Sequence, residues 1–417
     1  MTTSTSNPND ECFVWVWLPE STEPVVAGRL MPDGNRYRFA YGRSYLARED
    51  SISLYQPELP LRPGWIDPPD DMEMAGCLWD ASPDSWGQRV IIAKLTGALG
   101  TDVDRTSFSR LTFLLASGSN RIGGLDFQTS ATEYQARSES ATLDELHSAA
   151  DALQAGKLRP ELATALVDGT AVGGARPKVL ISDSGVEYIA KLSMSTDLLP
   201  FVKAEAACLE LARLAGIDVP ASRLVKSLGR DVLLVERFDR PGDGRRRLLV
   251  SALTMQKFGD FLGARYSSYP DMLEVLLQFS ESGEGLALQV FQRIVFNIAI
   301  GNTDDHARNH AAFWDGRHLA LAPAYDLSPQ MRTSREANQA MQISRSEKRS
   351  SQFATCVHAA ADYGLSKSDA REIVYQQVAI IRANWPEVCD KYELDRAQRS
   401  SLLGSAILNP FAFEGFS

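Results

Sequence analysis

The sequence has few histidines and few cysteines. Of five histidines in 417 residues, only His306 and His310 share H-x-x-x-H spacing. No glutamate follows His306, so the zinc-protease pattern fails. The five cysteines, Cys12, Cys77, Cys208, Cys356 and Cys389, are odd in number and widely scattered. They offer neither metal-ligand spacing nor a disulfide framework, which fits a reducing cytoplasm. No apolar run approaches membrane-spanning length, and the opening M-T-T-S-T-S-N-P-N-D lacks the apolar centre of a secretory signal. The expectation is a cytoplasmic protein with no membrane partner. Positive charge is scarce too: 43 Lys and Arg stand against 53 Asp and Glu, a net charge of −10. The bulk field repels nucleic acid, so any DNA contact requires a local patch or a basic partner.

The rest of the composition is ordinary. Hydrophobic residues make up 44% and charged residues 23%, a globular balance. The length exceeds one ordinary core, so two or three domains are expected. The sequence shows no internal repeat.

The chain is organised around Gly301 to Asn309, G-N-T-D-D-H-A-R-N. Apolar residues at 287, 290, 291, 294, 295 and 298 give a helical period from Leu286 to Ile300, with Gly301 as its cap. Two carboxylates, an imidazole and a carboxamide follow within six residues. A short apolar segment, Ala311 to Trp314, then leads into Asp315-Gly316, a two-residue hairpin signal. The returning strand, His318 to Leu321, delivers Ala324-Tyr325-Asp326. This order can bring Asp304, Asn309 and Asp326 to one place. A carboxylate that orients a hydroxyl, beside an amide oxygen and a second carboxylate suited to Mg²⁺, is a phosphoryl-transfer set. Charge and spacing do not choose between Asp304 and Asp305 as the base.

Upstream, Phe13 to Leu18, Val25 to Leu30 and Arg36 to Tyr41 read as strands of a small mixed domain. Ser82-Pro83-Asp84 reads as a helix start with Ser82 as cap. Residues Thr129 to Thr142 form a polar linker, and Thr142 with Glu145 makes a capping box. A second short helix is expected from Pro160 to Leu166. Gly169 to Lys178, G-T-A-V-G-G-A-R-P-K, combines adjacent glycines with Arg176 and Lys178, so backbone N–H groups can approach an anion. It is neither a Walker A loop nor the glycine loop of ordinary protein kinases. Lys178 to Ile181 and Val186 to Leu192 are strand-like. Lys191, inside Y-I-A-K-L, is a lysine among apolar neighbours and needs an anion, for which ATP phosphates are the obvious candidate. Glu205, early in the helix Val202 to Ala215, is a candidate partner for it. Val232 to Val235 is a strand running into Glu236-Arg237-Phe238. Arg245 to Arg247 reads as a solvated hairpin tip, with an outward phosphate-contacting patch as the alternative. Ser328 to Ser351 has no periodic core pattern and reads as a mobile segment.

These stretches together resemble the HipA family of serine/threonine kinases, the toxin half of bacterial toxin–antitoxin pairs. The matching parts are the N-terminal strands, Ser82-Pro83-Asp84-Ser85-Trp86-Gly87, G-G-A-R-P-K, the Lys191 strand, V-E-R-F-D-R, N-T-D-D-H-A-R-N and A-Y-D-L-S-P. The resemblance implies an α+β, two-lobed protein-kinase-like fold. Residues 10–130 would be an N-terminal β-rich subdomain, 143–240 the kinase N-lobe and 241–417 a mainly helical C-lobe. It implies that Asp304 is the catalytic base and that Asn309 and Asp326 hold Mg²⁺. It also implies that Lys191 meets ATP phosphates and that Gly173, Gly174, Ala175, Arg176, Pro177 and Lys178 cover the nucleotide. Glu236, Arg237 and Phe238 would form the adenine-contacting hinge, and His306 would contact nucleotide. Implied partners are a helix-turn-helix antitoxin dimer, operator DNA reached mainly through it, and a protein substrate such as an aminoacyl-tRNA synthetase. The family's regulatory serine falls at Ala171, which has no hydroxyl; Thr170 is its neighbour. The rival readings are a catalytically silent fold retained as a co-repressor and a small-molecule phosphotransferase. The first would lack one of Lys191, Asp304, Asn309 and Asp326, and all four are present. The N-terminal domain and the V-E-R-F-D-R hinge argue against the second.

Overall fold

A computed structural model describes residues 12–69, 72–97, 107–137, 141–156, 158, 166–167, 176–197, 199–332 and 336–416. The fold is α+β. Its contacts divide into two compact units. The first comprises residues 1–195, 225–250 and 313–317; the second comprises 196–224, 251–312 and 318–417.

The first unit contains a four-stranded antiparallel sheet in the order β3-β2-β1-β4: β1 is Cys12–Trp17, β2 Pro24–Asp33, β3 Arg36–Tyr41 and β4 Leu125–Gln128. Val14, Trp15, Val16 and Trp17 are all buried, so V-W-V-W is covered on both faces rather than half solvated. Gly28 in β2 has no substitute, because a Cβ there would lie 2.2 Å from the Ala40 carbonyl oxygen. A second antiparallel sheet runs β5-β6-β8-β7, with β5 Lys178–Asp183, β6 Val186–Leu192, β7 Ser222–Ser227 and β8 Arg230–Glu236. Val179, Ala190, Leu192, Val232 and Leu234 make one core with Trp86, Val90 and Ile91 of the Ser85–Thr96 helix and Leu146 and Ala149 of the Leu143–Gln154 helix.

The helix expected at Ser82-Pro83 begins later. Asp84, not Ser82, is its N-cap, and the Asp84 carboxylate accepts from the Gly87 N–H at 2.7 Å. A carboxylate cap outcompetes the upstream serine because it also meets the positive end of the helix dipole. The Thr142–Glu145 capping box is present as read. Most of the expected Pro160–Leu166 helix lies outside the described residues.

The second unit is mainly helical. Its centre is the Leu286–Ile300 helix, in which Phe291, Ile294, Val295, Phe296 and Ile298 have no exposed surface. Gly301 ends it in the left-handed conformation, φ 71°, with the Asn302 N–H returning to the Asn297 carbonyl. Around it lie the Tyr269–Phe279, Phe353–Ala359 and Lys367–Lys391 helices. Among the described residues, no helix is long and apolar enough to cross a membrane.

Three further expectations change. The Asp315-Gly316 turn is a four-residue loop between β10 (Ala311–Trp314) and β11 (Leu319–Leu321). Asp315 accepts from the Arg317 N–H, so a side-chain turn replaces the two-residue kind. Arg245 to Arg247 is not a free solvated tip. Arg246 lies over the Trp17 ring at 3.6 Å and donates to the Ser119 carbonyl, while Arg247 lies over Phe313. Ser328 to Ser351 is packed where described. Met341 and Ile343 are fully buried, and Gln339, Ile343 and Ser351 pair their N–H groups with Arg349, Lys348 and Ala337. Two apolar anchors and a hairpin-like ladder suffice to order it without any helical or strand period.

Candidate active site

Asp304, Asn309 and Asp326 all belong to the second unit. The turn after Gly301 exposes Asp304 and His306 and buries Asp305 and Asn309. The Asp304 carbonyl accepts from the His306 N–H at 2.8 Å and from Asn309 Nδ2 at 3.3 Å. With its NH₂ committed there, the Asn309 amide has its oxygen as the end available for a ligand.

Asp326 is drawn to the same loop by its neighbours. Asn302 Nδ2 donates to the Asp326 carbonyl at 3.3 Å, and Tyr325 donates its hydroxyl to the Arg308 carbonyl at 2.7 Å. The segment beyond is tied as well, Gln330 to Gly301 and Ala340 to Thr303, through backbone bonds. Asp326 sits at φ 59°, in the left-handed region. A non-glycine residue there costs on the order of 1 kcal/mol or more and persists where its surroundings over-determine it. The approach to Asp326 is fixed by Arg293 of the buried helix, whose guanidinium donates to the Ala322 carbonyl at 2.8 Å. Burial pulls that guanidinium down to about 10.

The two adjacent aspartates sit in opposite environments. Asp305 is 1% exposed and accepts hydrogen bonds from three side chains. Of the two carboxylates, the exposed one is Asp304. Sequence reasoning missed Asp305's role, along with Asn297, Asn302, Tyr269, His310 and Arg293. The signal available was Asn297, the polar residue in the last turn of a largely apolar helix, followed by Asn302 and Asp305 just after its cap. Among the described residues, no group of three or more His, Cys, Asp or Glu side chains is arranged to hold a metal ion. The amide of Asn309 falls outside that set. One carboxylate plus one amide oxygen fits Mg²⁺, which takes few protein ligands and fills the rest with phosphates and water.

Apart from Glu205, the remaining candidates lie on the first unit. Lys178 and Lys191 are register partners in β5 and β6. Both face away from the core holding Val179, Ala190 and Leu192, and share that outer face with Leu180, Ile189 and Leu233. Lys178 is buried, Lys191 half-buried and Arg176 exposed. Gly173, Gly174, Ala175, Thr170 and Ala171 lie outside the described residues. Glu205 is buried on the Phe201–Leu214 helix of the second unit. Glu236 ends β8 and is half-buried, and the Phe238 ring meets Phe313 edge-on at 5.8 Å. Arg237 has a different environment. Its guanidinium is fully buried and held by Asp239 (2.7 and 3.0 Å), Asn120 and the Arg121 carbonyl (both 2.6 Å). Arg240 joins Asp239 at 2.8 Å, and the Gly123 N–H donates to the same carboxylate. Burial raises the Asp239 carboxyl, but the charges of Arg237 and Arg240 outweigh it and hold the group well below the carboxylate range.

A profile of the HipA-like C-terminal domain matches residues 170–385, more than half of the chain, and one of the HipA N-terminal domain matches residues 16–128. The chain belongs to the HipA family. The HipA chain of Shewanella oneidensis MR-1, solved with HipB and its operator DNA, superposes with a TM-score of 0.66 at 18% identity, covering 94% of this chain and 95% of that one. At that identity the match speaks for a shared HipA fold. A Haemophilus influenzae protein named, by inference, a kinase is 28% identical over 179 residues, 38% of this chain and 52% of that protein. A Sinorhizobium fredii protein named in the same way as kinase Y4mE is 30% identical over 132 residues, 30% of this chain and 31% of its own length. The alignments thus span between a third and a half of these curated relatives.

Proposed function

We propose that this HipA family member is an ATP-dependent serine/threonine protein kinase acting as a toxin. The observation that carries the reading is an exposed Asp304 on the same loop as Asn302, whose amide donates to the carbonyl of the left-handed Asp326. Asp304 would accept the proton of a substrate hydroxyl as it attacks. Asn309 and Asp326 would hold Mg²⁺, which when bound neutralises charge on the nucleotide phosphates. Lys191 and Lys178 would meet those phosphates, with residues 173–178 covering them. Glu236 to Phe238 would line the adenine, Arg237 through its backbone because its side chain is committed elsewhere. His306, exposed beside Asp304, would contact the nucleotide.

The substrate proposed is a protein of the translation apparatus, such as an aminoacyl-tRNA synthetase. The likeness to a HipA chain crystallised with HipB and operator DNA supports a helix-turn-helix antitoxin as partner. With a net charge of −10, this chain would reach DNA mainly through that partner. Incubating the protein with labelled ATP and Mg²⁺ in a cell extract, then identifying the phosphorylated species by mass spectrometry, tests the reading. Phosphoserine or phosphothreonine on a protein is expected. A phosphorylated small molecule, or no transfer at all, rejects it.

A further inference from the structure

We infer that Asp305 is a positioning residue whose carboxylate, through two asparagine side chains, sets the backbone geometry of Asp326; the inference deepens the phosphoryl-transfer reading and rests on it. One oxygen, Oδ2, accepts from the Tyr269 hydroxyl at 2.6 Å, from Asn297 Nδ2 at 2.7 Å and from His310 Nε2 at 2.9 Å. All four side chains are buried, none more than 3% exposed. They come from four places: the Tyr269–Phe279 helix, the Leu286–Ile300 helix, the loop after it, and the residue before β10. The three contacts therefore converge where no single element could supply them.

What makes this more than packing is the direction each bond must take. An ionised carboxylate only accepts, so Asn297 must turn its NH₂ towards Asp305. Its oxygen is then forced towards Asn302, whose Nδ2 donates to it at 2.9 Å. The same Nδ2 donates to the Asp326 carbonyl. The acceptor Asp305 thus dictates the orientation of one amide, and that amide dictates the next. The last link lands on the residue held at φ 59°. Were Asn297 reversed, Asn302 would have to present its oxygen, and an oxygen cannot hold the Asp326 carbonyl. Of the two donors to the Asp326 carbonyl, Asn302 and the Ser328 N–H at 3.0 Å, the side-chain one would then be lost.

The relay predicts a specific defect: loss of metal-dependent nucleotide binding, with the fold and the metal-free affinity retained. The measured quantity is the ratio of ATP dissociation constants without and with Mg²⁺, by titration calorimetry on the full chain. Asp305→Ala, which removes the acceptor altogether, and Asn302→Ala should each reduce this ratio about tenfold while leaving the metal-free constant within about twofold of wild type. The two combined should do no worse than either alone, since both cut one chain. Tyr269→Phe removes a donor to Asp305 without breaking the chain, and its ratio should stay near that of wild type. Should Asp305→Ala fail to fold by circular dichroism, Asn302→Ala carries the same test. A wild-type ratio in folded Asp305→Ala or in Asn302→Ala overturns the relay, as does a matching loss in Tyr269→Phe, which would signal general loosening. If the wild-type protein itself binds ATP no better with Mg²⁺, the phosphoryl-transfer reading has failed, and the relay with it.

Discussion

Lys178 and Lys191 stand directly opposite each other across the β5–β6 ladder. Like charges at such a pair repel, and their nearest neighbours on that face are Leu180, Ile189 and Leu233. The Lys178 charge also reaches Asp84, where it works against the rise that burial imposes on that carboxyl. A polyanion laid across the face gains from both lysines. Lys191→Met should weaken ATP binding by about tenfold or more and leave the thermal midpoint close to wild type, since Lys191 is half-buried. Fluorescence titration with an ATP analogue measures it; unchanged affinity removes Lys191 from the nucleotide site.

Asp304→Asn should lower phosphate transfer by about two to four orders of magnitude, the usual cost of removing a general base. The residue is exposed, so the far-ultraviolet circular dichroism and the unfolding midpoint should not move. Transfer at the wild-type rate would falsify its assignment.

Asp326→Asn keeps a residue type that tolerates positive φ while removing the charge. Folding should be preserved and ATP affinity in Mg²⁺ should drop, with affinity in chelator unaffected. A variant that binds Mg·ATP as tightly as wild type takes Asp326 out of the metal site.

Glu58 gives a pH dependence with a definite sign. Burial pushes its carboxyl from 4.5 up to about 7, opposed by the Cys77 N–H that donates to Oε2 at 2.8 Å. The folded pKa lies above the unfolded one. The contribution is therefore full below about pH 4.5, declines as pH rises, and is gone above about pH 7. Glu58→Gln retains the acceptor without the charge. It should match wild type near pH 4.5 and exceed it by at most about 3 kcal/mol at pH 8. Chemical denaturation at both values checks this; equal stabilities at pH 8 would show that Glu58 ionises freely.

Asp239→Ala leaves the Arg237 and Arg240 guanidinium groups buried beside each other without their shared carboxylate. The loss should be about 3–5 kcal/mol, the range for stripping one partner from a buried ion pair. Urea unfolding gives the number, and a loss below about 1 kcal/mol would mean that water reaches the two arginines.

Local rules made part of this molecule legible. The apolar period from Leu286, the Gly301 cap and the Thr142–Glu145 box depend on neighbours within one or two turns, and each stands where sequence put it. The closeness of Asp326 to the Asp304 loop was readable because a short hairpin separates them. The contrast between Asp304 and Asp305 was not. It depends on Tyr269, 36 positions upstream, which no spacing rule connects to the loop. Arg237 was hidden for the same reason: its partner Asn120 is 117 positions away. Ser328 to Ser351 looked unstructured because its order comes from two buried side chains and backbone pairing rather than from a repeating pattern.

The ligands of Arg237 and Arg240 include Asn120 and the carbonyls of Arg121 and Gly123. Those residues fall inside the stretch matched by the HipA N-terminal profile, while both arginines fall inside the stretch matched by the C-terminal one. The seam between two units of sequence similarity is therefore not a seam in the folded object. A chain begun after residue 142 would keep every candidate site residue and still lose the oxygens that solvate two arginines at the end of β8. Modularity in ancestry and modularity in physics part company here, and recombination between relatives at that seam would have to carry both sides of the arginine cage or neither.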